Sequence, residues 1–421
     1  MWSNPTTLMI EFQRRILNNG LKVLVHEDPT SPMAAVNVLY DVGSRDEDPA
    51  RTGFAHLFEH LMFGGSANVS NFDAELQKAG GRNNAFTSPD ITNYYDTLPA
   101  KNLEVAFWLE ADRMNLLDFS ERSLEVQRKV VCEEFKEHYI NQPYGDLWHK
   151  LMALTYQDHP YRWPTIGQKL EHVEDAVLDD VRAFFFKHYR PNQAILSVAG
   201  GVKADEVFQL AEKWFGGIQN GEAYKRALPK ERDQKEAREL TVEANVPVDV
   251  LYRAYHMCAR NDAKYAATDL VSDVLSSGES ARLHRELVKE QKLFTDVDAY
   301  ITASMDEGLF IVEGKYAEGV DREKANMALD VELSRIREEK VSEHELAKVR
   351  NQSESTESFG NVSVLNKAMK LGYYQLLGDP NGINTEIENY RKVQAEDIQE
   401  MAREVIRPEN CSTLNYLSNK N

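Results

Sequence analysis

Two histidines and a glutamate stand in the order H-x-x-E-H at His56, Glu59 and His60. Residues three and four apart are neighbours on a helix surface. His56 and His60 can therefore grip one metal ion, with Glu59 near enough to handle a water bound to it. That combination is the chemistry of metal-assisted hydrolysis, and the metal it implies is zinc. The plainer alternative is a core helix that happens to carry two surface histidines.

The residues around the motif describe the element that must hold it. Phe54, Leu57, Phe58, Leu61 and Met62 fall at i, i+3, i+4, i+7 and i+8, an apolar stripe for a core. The three polar residues fall between the stripe positions and face elsewhere. Strand-like segments precede and follow the helix. Asn19-Gly20 is a hairpin signal before Leu21 to Val25, then come Ala35 to Tyr40, Asn84 to Thr87 and Thr92 to Asp96, and Ala194 to Val198 closes the half. Helical sequence dominates from about Leu103 to Ala153.

The second half repeats this plan. Adding 213 to the stripe positions reaches Ala267, Leu270, Val271, Val274 and Leu275, all apolar. Later the offset is 217, matching Asp180-Val181 to Asp397-Ile398 and Pro191-Asn192 to Pro408-Glu409. This spacing implies duplicated domains, 1–219 and 244–421, joined by a charged, solvated linker over 220–243. His56, Glu59 and His60 correspond to Asp269, Ser272 and Asp273, so only the first half keeps a set suited to metal chemistry.

A catalytic zinc takes three protein ligands and leaves one position for water. Glu133 and Glu134 are the best candidates for the third, with Glu125 and Glu137 weaker. Adjacent helical residues point about 100° apart, so only one of the pair can face the metal. Spacing alone leaves the choice open.

Together these segments resemble the insulinase–pitrilysin family of zinc peptidases, in its short two-domain branch that includes mitochondrial processing peptidase and bacterial relatives. The resemblance runs over essentially the whole chain. It is carried by Asn19-Gly20-Leu21-Lys22-Val23, Val42-Gly43-Ser44-Arg45, the His56 to Phe63 core, Asn84-Ala85-Phe86-Thr87, Val130 to Glu134 and Pro160-Tyr161. It implies that Glu134 is the third ligand, with Glu133 as runner-up, and that Glu59 is the base. It also implies a supporting acid seven residues earlier, where this chain has Gln127, an amide that can orient a ligand but brings no charge. Asn84 and Ala85 match the edge strand on which members pair an extended peptide.

In many active members the second domain supplies an Arg and a Tyr that bind the substrate carbonyl. Here those positions hold Val288 and Thr295, and a slip to Lys289 or Lys292 would turn the side chain about 100°. Some members divide the work between two homologous chains. The expectation is thus the zinc-bearing subunit of a heterodimer whose partner brings the Arg/Tyr pair. The competing readings are a homodimer using other residues, a non-catalytic assembly or substrate-presenting subunit, and a structural zinc module. Structural zinc favours four protein ligands, often cysteine, and no cysteine adjoins the motif.

Composition narrows the rest. The chain has 421 residues, 42% of them hydrophobic, and a net charge of −19. That charge disfavours nucleic acid, whose phosphates repel carboxylates. Cys132, Cys258 and Cys411 are scattered and form no disulfide framework. The start shows no leader pattern and no run is long enough to span a bilayer. The expectations are no membrane span and a cytoplasmic setting, or a periplasmic one if a leader has been removed. The expected fold is α+β, two tandem homologous domains, each a mostly antiparallel sheet with helices packed on it and, as the resemblance implies, enclosing a chamber.

Overall fold

Asn19-Gly20 makes a tight turn, where Gly20 takes a φ of +87° and a Cβ would meet Asn192 Cβ at 2.9 Å. It joins β1 (Gln13–Ile16) to β2 (Lys22–Glu27) as an antiparallel hairpin. The computed structural model describes residues 9–222 and 224–419. These fall into two units, each assembled from three stretches of chain. The first contains residues up to Phe135, Trp163–Leu228 and Thr356–Glu386; the second contains Lys136–Arg162, Pro229–Ser355 and Ile387 onward.

In the first unit, β3 (Met33–Tyr40), β4 (Arg82–Thr87), β5 (Thr92–Pro99) and β6 (Ala194–Gly200) complete a sheet of order β1-β2-β6-β3-β5-β4. Only the β2–β6 pair is parallel. The interior strand β6 is buried throughout, as its apolar run requires, whereas edge strand β4 alternates exposed and half-buried residues. The helices here include α1 (Phe54–Leu61), α2 (Phe72–Lys78), α3 (Leu103–Asn115) and α4 (Glu121–Phe135).

The second unit holds β7 (Arg238–Ala244), β8 (Val250–His256), β9 (Phe294–Ile301), β10 (Leu309–Tyr316) and β11 (Cys411–Ser418), in the order β7-β11-β8-β10-β9. Numbered within each half from β2 and from β7, both sheets read 1-5-2-4-3, and in both the first–fifth pair is parallel. The α+β class and the mostly antiparallel sheets are as the sequence implies. The equivalent of the stripe helix, Tyr265–Ser276, buries Leu270, Val271, Val274 and Leu275 in its own core.

Helices are exchanged between the halves. The helix α5 (Leu147–Thr155), from the first half, packs Leu147 and Leu151 against Val250, Ala254, Ile311 and Leu414 of the second sheet. Its counterpart 217 residues on, Val364–Leu376, lies on the first sheet, with Ala368 against Ala35 and Ala199. Gly372 makes that approach possible, since a Cβ there would come 2.9 Å from Ser197 Oγ. Lys367 pins the helix through a 2.7 Å bridge to Asp28, with both side chains largely buried.

Most described residues of the stretch 220–243 are exposed, and a few side chains tie it down. Arg226 reaches Asp41 at 2.8 Å and the buried Asp46 at 2.7 Å. Buried Glu231 accepts the backbone amides of Gln157, Asp158 and His159. Strand β7 begins inside the stretch, at Arg238. Lys225, Asp233, Lys235 and Glu236 of the same stretch are exposed. Among the described residues no helix is long and apolar enough to cross a membrane.

Bonds from Lys367 and Thr30 hold the Asp28 carboxyl down at about 2, below its ordinary value of 3.8. A depressed carboxyl contributes stability above its unfolded pKa and loses it as pH falls through the folded one. Asp28→Asn is therefore expected to cost about 1 kcal/mol at pH 7, allowing for solvent screening of a partly accessible pair. Urea unfolding should show the gap between the two proteins closing as pH is taken from about 4 towards 2. A gap that stays constant over this range would contradict the assignment.

Candidate metal centre

Helix α1 starts at Gly53, whose φ of +90° suits glycine and which has no side chain to cap the helix. Glu47 does the capping from a distance. Its carboxylate accepts the amides of Gly53 at 2.9 Å and Ala55 at 2.8 Å, where the helix dipole favours negative charge. Burial works against those bonds and pushes the Glu47 carboxyl up to about 8. The apolar stripe is buried as expected, with Leu57 and Phe58 fully enclosed and Phe58 packed on Phe184 and Tyr189 at 5.0 and 5.1 Å between ring centroids. Tyr94 of β5 backs the helix, its hydroxyl 3.5 Å from Phe58 O, and its ring carries the buried Arg113 guanidinium, which Glu110 neutralises.

With that face buried, His56, Glu59 and His60 point the other way, towards α4. Glu134 meets them there. Its carboxylate lies 3.7 Å from His56 Nε2 and 3.4 Å from His60 Nε2, and one ligand atom from each of the three residues falls within 4.8 Å of the others. Ligands about 2.0–2.1 Å from a tetrahedral zinc are about 3.4 Å apart, so the set fits that ion. Burial first, and then the neighbouring His60, lower the His56 pKa to about 4, which keeps the ring neutral with a lone pair to donate. The other candidate acids are elsewhere: Glu133 and Glu137 are exposed, and Glu125 is bridged to Lys129 at 2.8 Å. Gln127 lies two turns before Glu134, its amide beside Gly64, where a Cβ would sit 3.2 Å from Gln127 Nε2.

Glu59 lies beside the three without being one of them. Thr87 Oγ1, from the end of β4, donates to its carboxylate at 2.6 Å. Burial raises the Glu59 pKa, and the Thr87 hydroxyl opposes that rise. Sequence reasoning gave Thr87 no role, although it belongs to the quoted Asn84 to Thr87 segment. Asn84 and Ala85 sit on β4 at the open edge of the sheet, and the Ala85 amide is met by Asn84 Oδ1 at 2.8 Å.

Among the described residues the second unit has no equivalent donor set. Asp269 is tied to the Tyr390 hydroxyl at 2.6 Å, and Ser272 turns back onto its own helix at Asp269 O. Asp273 is half-buried, and desolvation followed by the neighbouring Asp269 pushes its carboxyl up to about 7. Val288 packs against the core of this unit, Thr295 donates to Lys315 O at 3.2 Å, and Lys289 is paired with Glu279. Among the described residues, the one cluster suited to a metal is His56, His60 and Glu134.

Comparison with known proteins bears on the same two halves. Residues 22–169 match the family model described as Insulinase (Peptidase family M16), and residues 175–353 match the one described as Peptidase M16 inactive domain. The chain is 28% identical over 406 residues to the zinc protease PqqE of Helicobacter pylori, covering 94% of this chain and 91% of that one. A probable mitochondrial-processing peptidase subunit beta of Schizosaccharomyces pombe is 32% identical over 216 residues, 51% of this chain and 47% of its own. The crystal structure of a protease from Helicobacter pylori superposes with a TM-score of 0.90 at 27% identity, covering 96% of this chain and 99% of that one.

Removing the remote cap tests how α1 is held. Glu47→Ala is expected to lower stability by about 1–3 kcal/mol, the cost of leaving two buried amides unmet. Denaturant unfolding would show it as a lower midpoint. An unchanged midpoint would mean that α1 needs no support from Glu47.

Proposed function

We propose that this chain, which belongs to the insulinase family (peptidase family M16) in its short two-domain branch, is a zinc-dependent peptidase acting on peptides or unfolded segments. The observation that carries the reading is the convergence of His56, His60 and Glu134 with Glu59 alongside. The zinc protease names of its relatives support it.

His56, His60 and Glu134 would hold the ion, the two imidazoles neutral and the carboxylate supplying one negative charge. Zinc bound there supplies an acidified water and a Lewis acid for the scissile carbonyl. Glu59 would accept a proton from a water at the centre and return it to the leaving amine, a shuttle suited to a carboxyl whose pKa burial has raised. An extended peptide pairs along β4 at Asn84 and Ala85, where backbone bonds supply affinity with little demand on sequence. Gln127 supports the ligand helix with an amide and no added charge.

The carbonyl still needs donors as it becomes an oxyanion. Val288 and Thr295 cannot provide them, and Lys289 is engaged by Glu279. We therefore assign this chain as the zinc-bearing half of a heterodimer whose homologous partner brings the Arg/Tyr pair. A partner of this kind would also help close a chamber that admits only unfolded segments. The wide separation of Cys132, Cys258 and Cys411 along the chain suits a reducing cytoplasm.

The test is peptide cleavage by the zinc-loaded chain, with and without a homologous chain that carries the pair. A lost oxyanion donor costs on the order of 10²–10³ in rate, so the isolated chain should be slow and the mixture faster by about that factor. In the mixture, Glu59→Gln should retain zinc and lose about 10²–10⁴ in turnover. Full activity from the isolated chain would overturn the heterodimer, favouring a homodimer with other donors. A Glu59→Gln variant that loses its zinc would overturn the role given to Glu59.

A further inference from the structure

The strand that would take the peptide is joined to the base by a short, fully anchored route. Strand β4 pairs with β5 so that Ala85 stands opposite Tyr94 and Thr87 opposite Thr92. Backbone amides two residues apart on a strand point the same way. The Ala85 amide faces outward, to Asn84 Oδ1, so the Thr87 amide does too, and Glu59 receives the Thr87 hydroxyl at 2.6 Å together with a weaker bond from that amide.

Immediately after Thr87 the chain turns, and the turn is fastened to the loop that starts α1. Ser88 O accepts the Ser44 amide at 3.3 Å and Pro89 O accepts the Arg45 amide at 3.0 Å. Arg45 bridges Asp90 at 2.8 Å, with both side chains buried. Gly43 lies so close that a Cβ would meet Pro89 O at 2.3 Å. The same loop ends in Glu47, the remote cap of α1. One turn thus anchors α1 twice, at its start through Glu47 and at its third residue from the end through Thr87 and Glu59.

We propose that Thr87 is a positioning residue for Glu59, tying the base to the strand on which the substrate pairs. The proposal deepens the peptidase reading and rests on it. A carboxylate has two oxygens. The Thr87 hydroxyl occupies Oε2, which leaves Oε1 to accept the proton of a water at the centre. Without the hydroxyl, the carboxylate gains freedom to rotate about its side-chain bonds. A peptide added to β4 would stiffen the strand that carries Thr87. Substrate pairing and base orientation then favour each other.

Thr87→Val keeps the size and removes the donor, whereas Thr87→Ser keeps the donor. In the zinc-loaded enzyme with its partner, Thr87→Val should lower kcat by about 10- to 100-fold, the factor for one lost bond to a charged group, with KM within about twofold. Thr87→Ser should stay near the parent. Crystal structures of the zinc-loaded parent and Thr87→Val chains should show the Glu59 carboxylate displaced in the variant. An unchanged kcat in Thr87→Val would overturn the proposal. An equal loss in Thr87→Ser would also overturn it, by tracing the effect to the strand and not the hydroxyl. Should the parent cleave no peptide, the peptidase reading fails separately. The positioning role is then judged on the structures, where a Glu59 unmoved by Thr87→Val overturns it.

Discussion

A helix buries one side and shows the other, and the site depends on how α1 divides those sides. Leu57, Phe58 and Leu61 are committed to the core, so His56, Glu59 and His60 have a fixed orientation without being fixed one by one. Aromatic packing beneath Phe58, the Glu47 cap and the Thr87 contact hold the helix at three places along its length. Helix α4 then needs to bring only one group, the Glu134 carboxylate, to make a three-donor set. Preorganisation of this kind lets a centre bind metal without the protein rearranging.

The second unit shows what happens when the same scaffold is released from that task. It keeps the strand order and the buried face of the stripe helix. At the ligand positions it has Asp269, Ser272 and Asp273; Asp269 is met by the Tyr390 hydroxyl, Ser272 by its own helix backbone and Asp273 by Ser353. The buried side is apolar in both copies, whereas the other side differs. The exchanged helices α5 and Val364–Leu376 follow the same duplication, since each covers the sheet face of the opposite half at equivalent positions.

How much of this was legible follows from the range of each interaction. The stripe and the H-x-x-E-H order are local, so periodicity revealed both the helix and its two sides. Strands β2 to β6 were legible for the same reason, as was the Asn19-Gly20 hairpin, whereas β7 to β10 were not singled out. The choice between Glu133 and Glu134 could not be made from spacing, because exposed Val126 and Val130 blur the apolar pattern of α4. Only its packing against α1 turns Glu134 inward. The helix exchange was hidden because an apolar stripe says that a face is buried and not which sheet buries it. Gly53 offered a signal for Glu47, as a helix start with no side chain of its own to cap it. Thr87 gave none, since a threonine ending a strand is ordinary until Glu59 is found beside it.

The central claim is that one unit holds a metal with these three side chains and the other holds none. Crystals grown with zinc and measured on both sides of its absorption edge would test it most directly. One anomalous peak per chain is expected, bounded by His56, His60 and Glu134. The absence of a peak there, or a comparable peak beside Asp269 and Asp273, would contradict it.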